Sequence, residues 1–151
     1  MKATKKPSVQ NFEIANLEEF HSFVRNEILP KVKHHTLFLL TGEMGAGKTE
    51  LIKTLAGLLQ MQDAQSPTFA FHHCYKGPHS LSLHHVDLYR LKGEDDLEST
   101  GFWDLFEDED AAIFVEWANL VQGEAWPWGW HPLHIHIEKT GEISRKITLQ
   151  S

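Results

Sequence analysis

Eight consecutive residues carry the most chemistry in this chain: Gly42-Glu43-Met44-Gly45-Ala46-Gly47-Lys48-Thr49. They fit the spacing G-x-x-x-x-G-K-[ST], in which glycines let the backbone wrap until several N–H groups point into one concavity. Gly42, Gly45, Ala46 and Gly47 form that cradle. Lys48 supplies a mobile charge for the β- and γ-phosphates, and Thr49 a hydroxyl for Mg²⁺. A helix starting at the loop adds the positive end of its dipole. A random chain of this length matches the pattern about 0.5% of the time, and requiring a strand before it and a helix after it lowers that further. The pattern therefore predicts a P-loop that binds ATP with Mg²⁺. The chain contains no Asn-Lys-x-Asp segment of the kind that reads guanine, which disfavours GTP. Glu50 is an awkward neighbour, because a carboxylate near the α-phosphate weakens binding unless its side chain turns outward.

Hydrolysis needs more than a phosphate cradle: acids must hold Mg²⁺ and orient water. Asp87 ends the alternating segment His85-Val86-Asp87, and Glu116 ends the apolar run Ile113-Phe114-Val115. In open α/β sheets, ligands sit at the carboxyl ends of strands, so Glu116 is well placed. Ser66-Pro67-Thr68 is ordinary turn chemistry that would also suit a loop sensing the γ-phosphate through Thr68. The chain has eleven histidines. Adjacent residues on a strand point to opposite faces, so neither His72-His73 nor His84-His85 chelates one ion easily. His134 and His136 share a face, but two ligands do not make a metal site. Trp126, Trp128 and Trp130, spaced by Pro127 and Gly129, read as an irregular packed loop.

The elements that must position these groups follow from periodicity. Val9 to Ile14 reads as a first strand. Asn16 and Glu19 have capping-box spacing and open a helix with Leu17, Phe20, Val24 and Ile28 on its apolar side, which Pro30 should end. Leu37-Phe38-Leu39-Leu40 is a strand buried on both faces. After the P-loop comes a helix with Leu51, Ile52, Leu55, Leu58 and Leu59 on one side. Phe69–Tyr75 and Leu81–Leu88 flank turn chemistry at Lys76-Gly77-Pro78-His79 and pair as an antiparallel hairpin. Ala112–Trp117 is another buried strand, Leu133–Glu138 alternates, and Arg145–Leu149 closes the chain as an edge strand. The expected fold class is α/β: a mixed sheet flanked by helices in a three-layer sandwich.

The chain has 151 residues, the size of a single domain, with 41% hydrophobic and 23% charged residues. No apolar run reaches the roughly 20 residues of a membrane span, and no apolar segment follows the basic N-terminus as in a secretory signal. The one cysteine, Cys74, cannot form an intrachain disulfide, so a cytoplasmic location is expected. The net charge is -7, which argues against direct nucleic-acid binding, since that needs a basic patch. Acidic residues crowd between Glu94 and Asp110, either as a solvated surface or as a docking face for a basic protein partner.

Four blocks together resemble the bacterial TsaE (YjeE) family of small P-loop ATPases in tRNA threonylcarbamoyladenosine biosynthesis. They are Gly42–Thr49, Ser66-Pro67-Thr68, His85-Val86-Asp87-Leu88-Tyr89-Arg90 and Val115-Glu116-Trp117, in matching order across about Leu37 to Trp117. The resemblance implies a P-loop fold with ATP at the loop and Mg²⁺ held by Thr49 and Glu116. It places Thr68 and Asp87 near the metal and γ-phosphate, and Trp117 beside the nucleotide. Lys48, Asp87 and Glu116 become the catalytic candidates. It further implies binding to a heterodimer of TsaD and TsaB, whose threonylcarbamoyl transfer the ATP cycle sustains. Two other readings stand beside it. One is a P-loop small-molecule kinase, for which the region after Asp87 offers Arg90 but is otherwise acidic. The other is a binding module gated by nucleotide without required hydrolysis.

Overall fold

The computed structural model describes residues 8–64, 72–88, 91, 94–117 and 126–151. Thr68 with its Ser66-Pro67 neighbours, the first residues of the expected strand at Phe69, and Tyr89-Arg90 lie outside the described residues. The strands are β1 (Val9–Ile14), β2 (Thr36–Thr41), β3 (Gln62–Ala64), β4 (His72–Lys76), β5 (Ser82–Asp87), β6 (Ala111–Glu116), β7 (Pro132–Lys139) and β8 (Arg145–Gln150). The α-helices are α1 (Leu17–Phe23), α2 (Lys48–Leu58) and α3 (Glu94–Thr100), and a 3₁₀ stretch runs over Phe102–Glu107.

Among the described residues the strands form one mixed sheet in the order β1-β8-β7-β2-β6-β5-β4-β3. β7, β2, β6 and β5 run parallel at its centre. β8 and β1 extend it antiparallel on one side, β4 and β3 on the other. The sequence reading put Arg145–Leu149 at the edge. The structure corrects this: β1 pairs along the whole of β8 and takes the edge itself. Burial explains the placement, since Ile147 and Leu149 are both enclosed as an interior strand requires.

Helices cover both faces. On one, Phe38, Leu40, Phe114, Ile135 and Ile137 pack against Phe20, Val24 and Ile28 and against Leu51, Ile52 and Leu55 of α2. Phe38 and Phe114 stack at the centre of this layer, ring centroids 4.3 Å apart. On the other face Leu37, Leu39, Ile113 and Val115 meet Leu97, Phe102, Leu105, Phe106 and Trp130. The result is a P-loop-type three-layer α/β sandwich. Both faces of β2 and β6 are covered, which is why those strands read as unbroken apolar runs. The acidic stretch is the outside of the second layer: Leu97 and Phe102 point in, while Glu98, Asp104, Glu107, Glu109 and Asp110 are exposed.

The α1 start is capped as its spacing foretold. Asn16 Oδ1 accepts the Glu19 N–H at 2.9 Å, and Glu19 Oε2 accepts the Ala15 N–H at 2.6 Å. α1 then widens into a π turn over Val24–Ile28 and tightens to 3₁₀ over Leu29–Lys31. Pro30 sits in that last turn, where its missing N–H and its ring forbid a continued α-helix. Leu17, expected on the apolar side, is 57% exposed. It occupies the first helical position and borders a slot beside the P-loop rather than the core.

The β4–β5 hairpin joins two histidines. The His72 and His84 rings approach with Nε2 and Nδ1 at 2.7 Å, one donating to the other, so the pair is stable only while at least one ring is neutral. Burial, then the charges of His84, His73 and His85, lowers the His72 pKa from 6.5 to about 4. Burial also lowers that of His84, partly offset by Asp108, whose Oδ2 is 3.8 Å from His84 Nε2, too long for a hydrogen bond.

Two predictions follow from the packing. Phe114→Ala empties the centre of the α2-facing layer and should cost about 3–5 kcal/mol in urea unfolding, with the denaturant slope unchanged. A cost under about 1 kcal/mol would mean that the stacked pair does not organise the core. For His72 the folded pKa lies below the unfolded value, so its contribution to stability is complete above pH 6.5 and is lost as pH falls through about 4. That loss should reach roughly 3 kcal/mol. His72→Phe should flatten stability against pH in this window, whatever its absolute stability, and an unaltered slope would rule the histidine out.

Candidate active site

β2 delivers the chain to the loop at Thr41, and α2 carries it away from Lys48. Gly42, at φ 149°, lies so close to β7 that a Cβ would collide with the Ile137 carbonyl oxygen. Gly47, at φ 123°, caps α2 in a conformation that L side chains rarely adopt. Both glycines are thus demanded by geometry. The outer side of the loop is held by a residue from the far end of the chain. Arg145 on β8 donates from Nε to the Ala46 carbonyl at 2.7 Å and from Nη2 to Gly45 at 3.3 Å. It also ties down the β7–β8 turn through the Ser144 carbonyl at 2.8 Å.

Lys48 is 9% exposed. Its Nζ donates to the Gly42 carbonyl at 2.6 Å and lies 3.3 Å from Glu116 Oε1. Glu116 reaches it from the end of β6, the strand beside β2, and is 5% exposed. Parallel pairing of β5 with β6 sets Asp87 directly opposite Glu116, so both carboxylates stand at the same carboxyl edge. Burial pushes the Glu116 carboxyl up, but the hydrogen bond and charge of His85 and the Lys48 ammonium outweigh it and hold the group below its usual range. Trp117 adopts a left-handed φ of 61°, which turns the chain out of the sheet. Its ring centroid lies 5.7 Å from Lys48 Nζ, within cation–π range.

A cavity of about 400 Å³ gathers most of these groups, with Gly45, Gly47, Thr49, Asp87, Glu116 and Trp117 in its wall. Gly42 and Ala46 serve differently: Gly42 sits against β7, and Ala46 is fully buried behind the loop. A second slot of about 280 Å³ adjoins the same loop at Gly45–Gly47, bounded by Leu17, Phe20 and Ile143. Glu50 stands between the two cavities. Its carboxylate meets His21 Nε2 on α1 at 2.9 Å.

Two contributors escaped the sequence reading. His85 Nε2 meets Glu116 Oε2 at 2.5 Å, and both residues are buried. Its spacing two residues before Asp87 places it on the same strand face, a signal that was available. Arg145 gave no such signal, because its partner Ala46 is 99 residues away. His134 and His136 lie on the exposed side of β7. Among the described residues, no group of three or more His, Cys, Asp or Glu is placed to hold a metal ion, and no helix is long and apolar enough to cross a membrane.

A family model described as "Threonylcarbamoyl adenosine biosynthesis protein TsaE" matches residues 14–147. The protein named tRNA threonylcarbamoyladenosine biosynthesis protein TsaE in Borreliella burgdorferi is 33% identical over 85 residues, 56% of this chain and 61% of that one. Its namesake in Rickettsia felis is 31% identical over 113 residues, 72% of this chain and 63% of the relative. The chain thus spans less than two thirds of the length of these curated relatives. The crystal structure of Bacillus subtilus YdiB is similar throughout, with a TM-score of 0.68 and 27% identity over 98% of this chain and 88% of that one. A family match over nearly the whole fold, on a chain whose P-loop, Asp87 and Glu116 converge at one sheet edge, shows that this chain belongs to the TsaE family of tRNA threonylcarbamoyladenosine biosynthesis.

Proposed function

We propose that the chain is a slow ATPase, a single cytoplasmic P-loop domain stimulated by a TsaD–TsaB pair whose threonylcarbamoyl transfer it sustains. The observation that carries this reading is the buried Lys48–Glu116 pair, 3.3 Å apart at the mouth of the loop with Asp87 alongside. A glycine turn that served only to connect β2 to α2 would have no use for buried charges, which are costly to desolvate.

In this reading the loop amides of Gly45 to Thr49 hold the phosphates, and Lys48 exchanges its present acceptors for β- and γ-phosphate oxygens. The Thr49 hydroxyl and Glu116 carboxylate are hard oxygen donors lining one cavity. They fit Mg²⁺, which takes one or two protein oxygens and completes its shell with phosphate oxygens and water. When bound, the ion offsets phosphate charge. Asp87 orients the attacking water and accepts its proton as the bond from the γ-phosphorus to the bridging oxygen breaks and ADP leaves. Thr68 approaches the γ-phosphate and Trp117 flanks the nucleotide. The slot between Leu17 and Ile143 takes the base and ribose. With a net charge of -7, the chain leaves tRNA to its partners.

The deciding experiment is phosphate release from Mg-ATP by the purified chain, alone and with a purified TsaD–TsaB pair. Stimulation by the pair, reduced about 100-fold or more in Glu116→Ala, is the expected result. A Glu116→Ala chain that binds ATP and fully supports the pair without hydrolysis would replace the ATPase with a nucleotide-gated module. Phosphate moved to an acceptor instead of water would make the chain a kinase.

Lys48→Ala removes a charge-assisted phosphate contact and should weaken Mg-ATP binding about 10- to 100-fold by calorimetry. Unchanged affinity would refute the role given to this lysine.

A further inference from the structure

The two oxygens of the Glu116 carboxylate are engaged from opposite sides. Oε1 faces Lys48 Nζ at 3.3 Å, and Oε2 meets His85 Nε2 at 2.5 Å. A carboxylate can only accept, so His85 donates from Nε2. β5 supplies the donor through its pleat: His85 and Asp87 project from the same face, and the register sets Asp87 opposite Glu116 and His85 opposite Phe114. His85 therefore reaches Glu116 diagonally from behind, on the core side. His85 is 7% exposed and Glu116 5%. At such burial a charged oxygen without a donor is costly, so this contact selects the carboxylate's orientation.

We infer that His85 is a positioning residue for Glu116: by holding Oε2 on the core side it aims Oε1 at Lys48 and the loop cavity. The inference rests on the part assigned to Glu116 in hydrolysis. His85 does not line the cavity, so it acts through Glu116 alone. Without the donor, the carboxylate leaves this orientation to find another partner. Nucleotide affinity, carried by the loop amides and Lys48, is retained, while turnover falls.

The test is a double-mutant cycle of wild type, His85→Phe, Glu116→Ala and the double variant, each confirmed folded by thermal unfolding. Turnover and KM for Mg-ATP are measured with the TsaD–TsaB pair present. His85→Phe should lower kcat about tenfold or more with KM within about threefold, and should cost nothing further in the Glu116→Ala background. His85→Gln, which keeps an N–H donor, should recover a substantial part of the lost kcat. If His85→Phe does not fold, His85→Asn, whose amide is too short to reach Oε2, takes its place. Losses that multiply in the double variant, a wild-type kcat in His85→Phe, or a folded glutamine variant no better than phenylalanine would overturn the inference and leave the role of Glu116 standing. Full phosphate release by Glu116→Ala itself would instead remove the role on which it rests.

Discussion

Everything around the loop depends on keeping one ammonium and one carboxylate out of water and close together. Lys48 and Glu116 are both nearly enclosed, at the end of a sheet whose buried side chains are mostly apolar. Removing two ions from water costs several kcal/mol each, and their attraction offsets that only if the remaining valences are also met. Here they are. The lysine donates to the Gly42 carbonyl, the carboxylate accepts from His85, and the Trp117 ring lies near the ammonium. The pair is better understood as a small network than as a bridge, and its cost makes sense only if the charges have a partner to receive.

That network is possible because β2 lies between β7 and β6 in a parallel run. Parallel strands end together, so the loop after β2 and the residues ending β5 and β6 arrive at the same edge. Strand alternation then sorts chemistry from packing. His85, Asp87, Phe114 and Glu116 project to the α2 side, while Val86, Ile113 and Val115 build the opposite layer. The same alternation separates two neighbouring histidines. His84 turns to His72 across the hairpin, and His85 turns to the carboxylate. One is part of the hairpin's packing and the other belongs to the site, although nothing in their identity distinguishes them.

This division explains what could be read from the chain beforehand. The P-loop, its flanking strand and helix, and the carboxylates at Asp87 and Glu116 are local patterns: each is visible within about ten residues. Their convergence could be anticipated because parallel α/β sheets gather strand ends. The layer over Phe102–Glu107 was hidden by its charge, since the acids that mark it as surface are interleaved with the aromatics it buries. The edge was misplaced because a final alternating strand looks the same whether or not another strand pairs outside it. Here β1, from the opposite end of the chain, does so. Arg145 lies 99 residues from its partner Ala46, a distance no local period encodes. The two-residue spacing of His85 from Asp87, by contrast, shows the face it shares, though not its contact with Glu116, 31 residues away.

The C-terminal hairpin thus has a larger part than its plain sequence would suggest. A P-loop is often treated as a self-sufficient motif, yet this one is shaped from outside. Gly42 must be glycine because the β7 backbone at Ile137 leaves no room for a side chain. The Gly45 and Ala46 carbonyls are drawn outward by Arg145. A peptide whose carbonyl is pulled one way presents its N–H the other way. The Ala46 N–H is taken by the Glu43 carbonyl at 3.1 Å, so it is the Gly47 N–H that an arginine on β8 helps to orient toward the phosphate side without approaching a phosphate. β8 in turn is fixed by β1 along its full length. The order β1-β8-β7-β2 is therefore a chain of constraint running from the N-terminal strand to the loop, and the anion-binding geometry is a property of the assembled sheet edge more than of the eight residues that announce it.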